Sequence, residues 1–374
     1  MTVLLWLALL SWSLALLSGL LDLRVMKRMA RAAAPPASDA PEVAIVVPAR
    51  NEAHQIGACV KSLLAQEWPR LRVVCVDDRS DDGTYEAALA AGAGDPRLTV
   101  VRGRDLPAGW LGKNHGNAQG VQAAGPVDYL LFTDADTIHQ PHALPSAMAA
   151  IRGRDADLYS IITHVTVKTF WERALLPQIL SAIVGAYPLR MVNDPKSKVA
   201  LANGQYILIR RPVYEVVGGH AAIRDRVADD MELAKLVKSS GHRIWAENGQ
   251  RAVAVRMYSS LREIWWGFVK NATAGAGGPL MALGGAMVVI MSALPFFALP
   301  FVRGQDLTIA LAGCAVALAQ RLLVFATIFT EAVPWALALP FGQVLFAGIL
   351  AHSAVRQLAG KGPRWKGRDY PHGR

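Results

Sequence analysis

Residues 130–137 read Leu130-Leu131-Phe132-Thr133-Asp134-Ala135-Asp136-Thr137, an apolar run that ends in two carboxylates two positions apart. The run predicts a buried strand. Side chains two positions apart lie on one face of a strand, so Asp134 and Asp136 should point the same way at its carboxyl end. Ligands of open α/β sheets bind beyond that end, and paired carboxylates there suit a divalent cation. The alternative is that the pair only caps a following helix.

The composition indicates membrane association. Of the 374 residues, 53% are hydrophobic, and 39 Lys and Arg against 29 Asp and Glu give a net charge of +10. Because basic residues flank the apolar segments, an anionic membrane surface is the expected partner of this charge, and nucleic acid is not. Cys59, Cys75 and Cys314 lack metal-ligand or disulfide spacing, so the polar part is expected in a reducing compartment.

The N-terminal segment predicts a membrane anchor. Residues 1–21 carry no charged side chain and are long enough to span a bilayer, and basic residues follow from Arg24. A signal peptide has the opposite order of charge and apolar run. We therefore predict an uncleaved anchor at residues 1–23 and a basic linker at 24–41, with the following domain on the cytoplasmic side.

The C-terminal part predicts two or three further spans within residues 279–355, followed by a basic tail at 356–374. Three spans would place that tail opposite the polar domain, against the positive-inside tendency. Either the middle segment, interrupted by Gln320-Arg321, does not cross fully, or the tendency fails here. Arg321 and Glu331 are expected to reach the membrane interface.

Residues 42–255 predict an α/β domain. Apolar, β-branched runs at 42–48, 71–76, 98–102 and 204–210 join the run at 130 and alternate with helical patterns. This alternation predicts a mixed, mainly parallel sheet with helices on both faces. Within this region, residues 170–192 predict helices at the membrane surface. Residues 256–278, where aromatic and cationic side chains alternate, predict interfacial helices.

Three further polar groups mark candidate site positions. Asp77 and Asp78 end the second predicted strand, and Asp229-Asp230 open a predicted helix. Lys113 lies in a glycine-rich segment, read as a loop, where its ammonium is able to offset diphosphate charge. Simpler alternatives are a helix cap at residues 229–230 and a solvated surface lysine at 113.

Four motifs in order carry a family resemblance: VVPARNE (46–52), VDDRSDDGT (76–84), FTDADT (132–137) and ADDMELA (228–234). This series resembles the family 2 glycosyltransferases, inverting enzymes with the GT-A nucleotide-diphospho-sugar fold. The segments GWLGKNHGNAQG (109–120) and RMYSSLREIWWGFVKN (256–271) look like the hopanoid-biosynthesis-associated branch, which is similar to ceramide glucosyltransferases.

The resemblance implies roles for individual residues. The loop with Pro48, Arg50 and Glu52 would meet the nucleotide, with Glu52 on the ribose or base; Asn51 and Glu52 as helix caps are the alternative. Either Asp77 or Asp78 would bind the base. Asp136 and Asp134 would hold Mg²⁺ or Mn²⁺, with Asp134 nearer the sugar. Asp230, beside Asp229, would be the general base. Arg262 would loosely match a QxxRW-type motif.

The resemblance also implies an activity. It predicts a multi-pass enzyme of the cell inner membrane, with its catalytic domain in the cytoplasm. This enzyme would transfer a sugar from a nucleotide sugar, UDP-linked in our interpretation, to a lipid hydroxyl such as that of a hopanoid. Three alternatives remain: transfer to polyprenyl phosphate, nucleotidyl transfer, and a non-catalytic scaffold in lipid biosynthesis.

Overall fold

The computed structural model describes residues 1–362, 364–365 and 368–369. Much of the predicted basic tail therefore lies outside the described residues. The described helices are α1 (Thr2–Asp22), α2 (Ile56–Leu64), α3 (Thr84–Gly92), α4 (Gly112–Ala124), α5 (Ala143–Gly153), α6 (Phe170–Ala186), α7 (Leu189–Asn193), α8 (Arg211–Val216), α9 (Gly219–Ala222), α10 (Asp229–Ser239), α11 (Leu261–Ala276), α12 (Pro279–Ala298), α13 (Gly304–Ile328), a 3₁₀ helix (Thr330–Ala338) and α14 (Leu339–Leu358).

The described strands are β1 (Val43–Ala49), β2 (Leu71–Asp77), β3 (Leu98–Arg102), β4 (Tyr129–Phe132), β5 (Thr137–His139), β6 (Leu158–Ile162), β7 (His164–Val165), β8 (Ile207–Arg210), β9 (Ile244–Asn248), β10 (Val253–Val255), β11 (Arg364–Trp365) and β12 (Arg368–Asp369). The chain divides into two compact units. The α/β unit contains residues 27–166 and 191–257, and the helical unit contains residues 1–26, 167–190 and the described residues from Tyr258 onward.

A seven-stranded sheet, in the order β3-β2-β1-β4-β8-β6-β9, forms the centre of the α/β unit. Strands β3, β2, β1 and β4 are parallel, β8 runs antiparallel to both of its neighbours, and β9 is parallel to β6. The predicted mixed, mainly parallel sheet is therefore confirmed. Strand β1 is almost completely buried, as its run of β-branched residues predicts for a strand covered on both faces. A second sheet has the order β5-β10-β7.

Two glycines of α4 set the distance between this helix and the sheet. A Cβ on Gly120 would lie 2.3 Å from Cγ1 of Val46, and one on Gly116 would lie 3.0 Å from Cβ of Pro48. Only residues without a side chain allow α4 to pack this closely on β1. The close packing places the first turn of α4 at the carboxyl end of β1.

The helical unit contains four helices that are long and apolar enough to cross a membrane, at Thr2–Asp22, Pro279–Ala298, Gly304–Ile328 and Thr330–Leu358 among the described residues. They lie at the positions of the predicted anchor and C-terminal spans, and their crossing of a membrane stays a prediction. Small residues lie where these helices meet, as in membrane bundles, for example Ala310 against Leu5. The outward side of α1 exposes leucines, and these features indicate membrane association.

Candidate active site

The loop after β4 carries Asp134 and Asp136. Strand β4 ends at Phe132, and the backbone turns between Asp134 and Thr137, whose amide and hydroxyl both donate to the Asp134 carbonyl. The prediction that both aspartates belong to the strand is therefore wrong, because they lie in the turn that follows it. The cap alternative is also wrong, since β5, and not a helix, follows the turn. The loop nevertheless lies at the carboxyl end of β4, next to β1, as expected for a ligand site.

Contacts among buried polar side chains stabilise the turn. Thr133, Thr137 and His139 contact one another, with the His139 Nε2 atom 3.0 Å from each hydroxyl oxygen. Burial lowers the pKa of His139 to about 3, so its ring is neutral. His139, a buried residue of β5, therefore supports the turn.

Lys113 lies in the first turn of α4, so its prediction as a loop residue is wrong. The solvated-lysine alternative is wrong as well. Nζ of Lys113 lies 2.8 Å from Asp134 Oδ1 and 3.4 Å from Asp229 Oδ2. Burial alone would lower the pKa of this ammonium, but Asp134, Asp229 and Asp230 raise it above its ordinary value. One cation thus joins the loop after β4 to the start of α10.

Asp229 and Asp230 occupy the first turn of α10, as predicted. The N-cap residue is Ala228, which makes no side-chain cap bond, so capping does not account for the pair. Oδ2 of Asp230 accepts a 3.0 Å hydrogen bond from the Gly204 amide, and Oδ1 accepts from the Met231 amide. Asp230 is half-buried and has a fixed orientation, which a general base needs.

Burial and neighbouring charges raise the pKa values of two of these carboxyls. Burial followed by the charge of Asp229 raises the pKa of Asp230. Burial followed by the charges of Asp134 and Glu52 raises the pKa of Asp136. Raised pKa values at paired carboxylates are typical of catalytic and ligand-binding sites, because like charges crowded at low dielectric oppose ionisation. A bound cation or a cationic substrate group would relieve this repulsion.

The loop after β1 is tied to the loop after β2. Nη1 of Arg50 donates to the carbonyls of Asp78 and Arg79 at 2.6 and 2.8 Å. The Asn51 amide donates to Ser80 and the Glu52 amide to Thr84. The N-cap of α2 is Gln55, so the alternative in which Asn51 and Glu52 cap this helix is wrong. Arg50 thus fixes the relative position of two loops that meet at the carboxyl edge of the sheet.

Asp77 and Asp78 are both buried where β2 ends. The Asp77 carboxylate accepts long hydrogen bonds, of 3.3 and 3.4 Å, from the Ser80 amide. Asp77 therefore supports the turn after β2. Pro48 is the penultimate residue of β1 and contacts α4 at Gly116. Direct contact of Pro48, Arg50, Glu52, Asp77 or Asp78 with a nucleotide stays a prediction.

Two further residues shape the candidate site, and the sequence marks them only weakly. Nδ2 of Asn114 donates to the carbonyls of Ile223, Arg224 and Arg226, and so fixes the loop that leads into α10. Gly204 lies against the acidic pair, and a Cβ there would be 3.0 Å from Lys113 Nζ and 3.4 Å from Asp230 Oδ2. The glycine-rich, asparagine-rich stretch around residue 114 was the only available hint.

The carboxylates fit a divalent cation that is shared with a substrate. Oδ1 of Asp136 is buried and has no hydrogen-bond partner among the described residues, so it is available as a ligand. In the described part of the chain, no three His, Cys, Asp or Glu side chains form a complete metal cluster. Mg²⁺ commonly takes only one or two protein carboxylates and completes its shell with water and substrate phosphates. Asp136 and Asp134 suit a site of this kind, in which water and substrate phosphates complete the coordination shell.

Arg262 belongs to the helical unit and is exposed in the first turn of α11. Its neighbours form the start of the helix: the Ser260 hydroxyl accepts from the Glu263 amide, and Glu263 accepts from Ser259. Ser259 and Glu263, which replace the glutamine and tryptophan of the QxxRW pattern, therefore have a capping function. A substrate-binding role of Arg262 stays a prediction.

Comparisons with known proteins give matches to part of this chain. Residues 44–218 match the family model described as glycosyl transferase family 2. The 4,4'-diaponeurosporenoate glycosyltransferase of Staphylococcus aureus (strain USA300) is 30% identical over 241 residues, which are 63% of this chain and 61% of the relative. The protein of the same name from strain MRSA252 is 28% identical over 66% of this chain and 64% of the relative. The chain thus spans less than two thirds of these relatives.

The fold has a counterpart among solved structures. Mannosyltransferase PcManGT from Pyrobaculum calidifontis, in complex with GDP-Man and Mn²⁺, matches with a TM-score of 0.51 and 19% identity over 95% of this chain and 99% of that chain. At this identity the likeness concerns the fold alone, a GT-A-like sheet with helices together with apolar helices. Neither relative named above has a hopanoid-related name, so the hopanoid branch depends on the motif resemblance only.

Proposed function

We propose that this chain, whose residues 44–218 match the glycosyl transferase family 2 model, is a membrane-bound inverting glycosyltransferase that acts on a lipid. The donor would be a nucleotide-diphospho-sugar, UDP-linked in our proposal. The observation that carries the proposal is the convergence of Asp134, Asp229 and Asp230 on Lys113, beside the unpartnered oxygen of Asp136, at the carboxyl edge of the sheet.

The proposed reaction is a single displacement at the anomeric carbon. Asp230 takes the proton of the acceptor hydroxyl, and the hydroxyl oxygen forms the new glycosidic bond as the bond to the nucleoside diphosphate breaks on the opposite face. The ammonium of Lys113 offsets the negative charge of the departing diphosphate. A divalent cation held by Asp136 and Asp134, when bound, supplies further positive charge to the diphosphate oxygens.

The lipid character of the acceptor is supported by two observations. Four apolar helices indicate that the enzyme lies at a membrane, where lipid substrates are presented. The named relatives act on 4,4'-diaponeurosporenoate, whose name denotes a carboxylate. We retain a hydroxyl-bearing lipid, hopanoids included, as the main proposal, because the buried acidic pair provides a base that a hydroxyl needs. A carboxylate-headed lipid is the second candidate.

We further propose a cellular arrangement that follows the charge pattern. The enzyme would be a multi-pass protein of the cell inner membrane with the catalytic domain in the cytoplasm, because basic residues follow the first apolar helix. This arrangement gives the catalytic domain access to soluble nucleotide sugars.

The test uses the full-length protein in membranes, with radiolabelled UDP-glucose, UDP-N-acetylglucosamine and GDP-mannose as separate donors. We expect label in the organic phase from one donor, and a product lipid that is heavier by one sugar in mass spectrometry. A nucleotidyl transferase would instead add a phosphate-containing mass. A scaffold would bind no nucleotide, and equilibrium binding of UDP with Mn²⁺ would exclude that alternative.

A further inference from the structure

A cavity in the helical unit contains a buried arginine. The cavity has a volume of about 240 Å³ and is lined by parts of α1, α6, α12, α13 and α14. For comparison, a cavity of about 150 Å³ is large enough to bind benzene, and a water molecule occupies about 30 Å³ in the liquid. The space is therefore large enough for a charged head group with its first few carbon atoms.

Arg321 of α13 lines this cavity and is 2% exposed. It lies seven residues before the end of the helix at Ile328, about two turns inside the span. The expectation that Arg321 reaches the membrane interface stays a prediction. Its Nε and Nη1 atoms are buried and have no hydrogen-bond partner among the described residues. The guanidinium carbon lies 5.8 Å from the ring centre of Trp12 and 5.9 Å from that of Phe325.

The acidic group on the cavity wall is already engaged. Asp22 is the acidic member of the lining residues, and its carboxylate binds Nη1 of Arg190 at 2.7 Å and accepts from the Leu189 amide at 2.9 Å. It makes no ion pair with Arg321 within the described part of the chain. A buried guanidinium without a counter-charge is costly, so the positive charge of Arg321 needs an anion from outside the chain.

The rest of the cavity wall has a polar part and an apolar part. Gln320 and Gln343 contribute amides near the arginine, and Oε1 of Gln320 has no partner among the described residues. Val289, Leu323 and Val324 contribute apolar surface. Four of the five lining helices, α1, α12, α13 and α14, are candidate membrane spans, so lipid is the expected surrounding of these walls of the cavity. Such a wall fits an amphiphile, with an oxyanion beside Arg321 and the start of an alkyl chain beside the aliphatic residues.

We propose that this cavity binds the anionic head of a single-chain membrane lipid, a carboxylate or a phosphate monoester, through the guanidinium of Arg321. The planar fork of an arginine matches both oxyanions through two parallel hydrogen bonds. The site goes beyond sugar transfer, and its occupation does not require the α/β unit to be active. It would serve as a docking site for an anionic lipid.

The test measures lipid binding by the full-length protein in phosphatidylcholine nanodiscs. Radiolabelled palmitate and hexadecyl phosphate are the probes, and hexadecanol and inorganic phosphate are the competitors. We expect saturable binding of at least one probe at one molecule per chain, with no competition by either competitor. Arg321→Met should weaken binding at least tenfold, whereas the matched control Arg303→Met, which replaces an exposed arginine just before α13, should leave it unchanged.

Folding and binding are separated by two measurements. Because Arg321→Met removes an unpaired buried charge, its thermal midpoint without the probes should be equal to or higher than that of the wild type. Ala182→Leu, which keeps Arg321 but fills part of the cavity, should also weaken probe binding at least tenfold. If Arg321→Met does not fold, binding by Ala182→Leu tests the proposal alone. Equal binding by both cavity variants and the wild type would overturn the proposal. Competition by hexadecanol would remove the anion requirement, and competition by inorganic phosphate would show a small-anion site instead of a lipid site.

Discussion

Replacement of Lys113 by methionine should move the pH dependence of sugar transfer. In the wild type, burial and Asp229 raise the pKa of Asp230 to about 6, and Lys113 counteracts this rise. If ionised Asp230 is the base, kcat/KM increases with pH through that pKa, because the carboxylate must be deprotonated to accept the proton. Without the ammonium, the carboxylate is harder to ionise, so its pKa and the acid limb of the profile both move to higher pH.

The structure bounds the size of this effect. An opposite charge within about 4–6 Å changes a carboxyl pKa by about one to three pH units, and the lysine side chain is 27% exposed, so solvent screening excludes the upper end of that range and we use about two units. A pKa of about 8 in the variant would reduce the ionised fraction of Asp230 at pH 7 from about nine tenths to about one tenth. Activity at pH 7 should thus fall about tenfold from this cause, and part of it should return at pH 9.

The assay is kcat/KM for lipid glycosylation between pH 5 and 9.5, at saturating metal, for four proteins. Lys113→Arg retains the charge and should keep the acid limb close to pH 6, and Lys61→Met, on the exposed side of α2, should behave as the wild type. Loss of a contact to the donor would lower the plateau of the profile but not its midpoint. An unchanged midpoint in Lys113→Met would refute the electrostatic coupling of Lys113 to the base.

Three further variants test the site and the fold. Asp136→Ala should weaken Mn²⁺-dependent UDP binding at least tenfold in calorimetry, while Asp39→Ala in the exposed linker should not; equal binding would remove Asp136 from the metal site. Gly204→Ala places a Cβ 3.0 Å from Lys113 Nζ and should lower kcat about tenfold with an unchanged thermal midpoint, and full activity would show that this contact is not needed. Gly120→Ala places a Cβ 2.3 Å from Val46 and should lower the free energy of unfolding by about 1–3 kcal/mol in denaturant titration. The control Gly153→Ala, whose Cβ meets no atom within 4 Å, should not lower it. Equal stability of the two variants would contradict the close packing of α4.

The strands could be predicted from the sequence because their apolar, β-branched runs are local signals. The parallel pairing of β1, β2 and β3 and the acidic residues at the end of β2 also agree with the structure. The turn after β4 could not be predicted in the same way. Hydropathy shows where an apolar run ends, but the direction of Asp134 and Asp136 depends on buried bonds from Thr133 and Thr137.

The surroundings of Lys113 and Arg321 could not be predicted, for a shared physical reason. Glycine and asparagine favour loops by intrinsic propensity, yet Gly116 and Gly120 here serve close helix–strand packing, and the tertiary contact outweighs the propensity. Arg321 lies in a long apolar helix whose sequence does not reveal what surrounds it. Likewise, Asn114 binds carbonyls more than one hundred residues away, and such contacts leave no periodic pattern in the chain.

The central claim is that Asp230 is the general base for transfer to a lipid hydroxyl, and single-turnover transfer by Asp230→Asn tests it most directly. Asparagine keeps the size of the side chain and an oxygen for the Gly204 amide but cannot take up the proton. We predict a rate of sugar transfer lower by about 10²- to 10⁴-fold, with UDP–Mn²⁺ binding within about twofold of the wild type. Full transfer by Asp230→Asn would contradict the account and would indicate an acceptor that is already ionised.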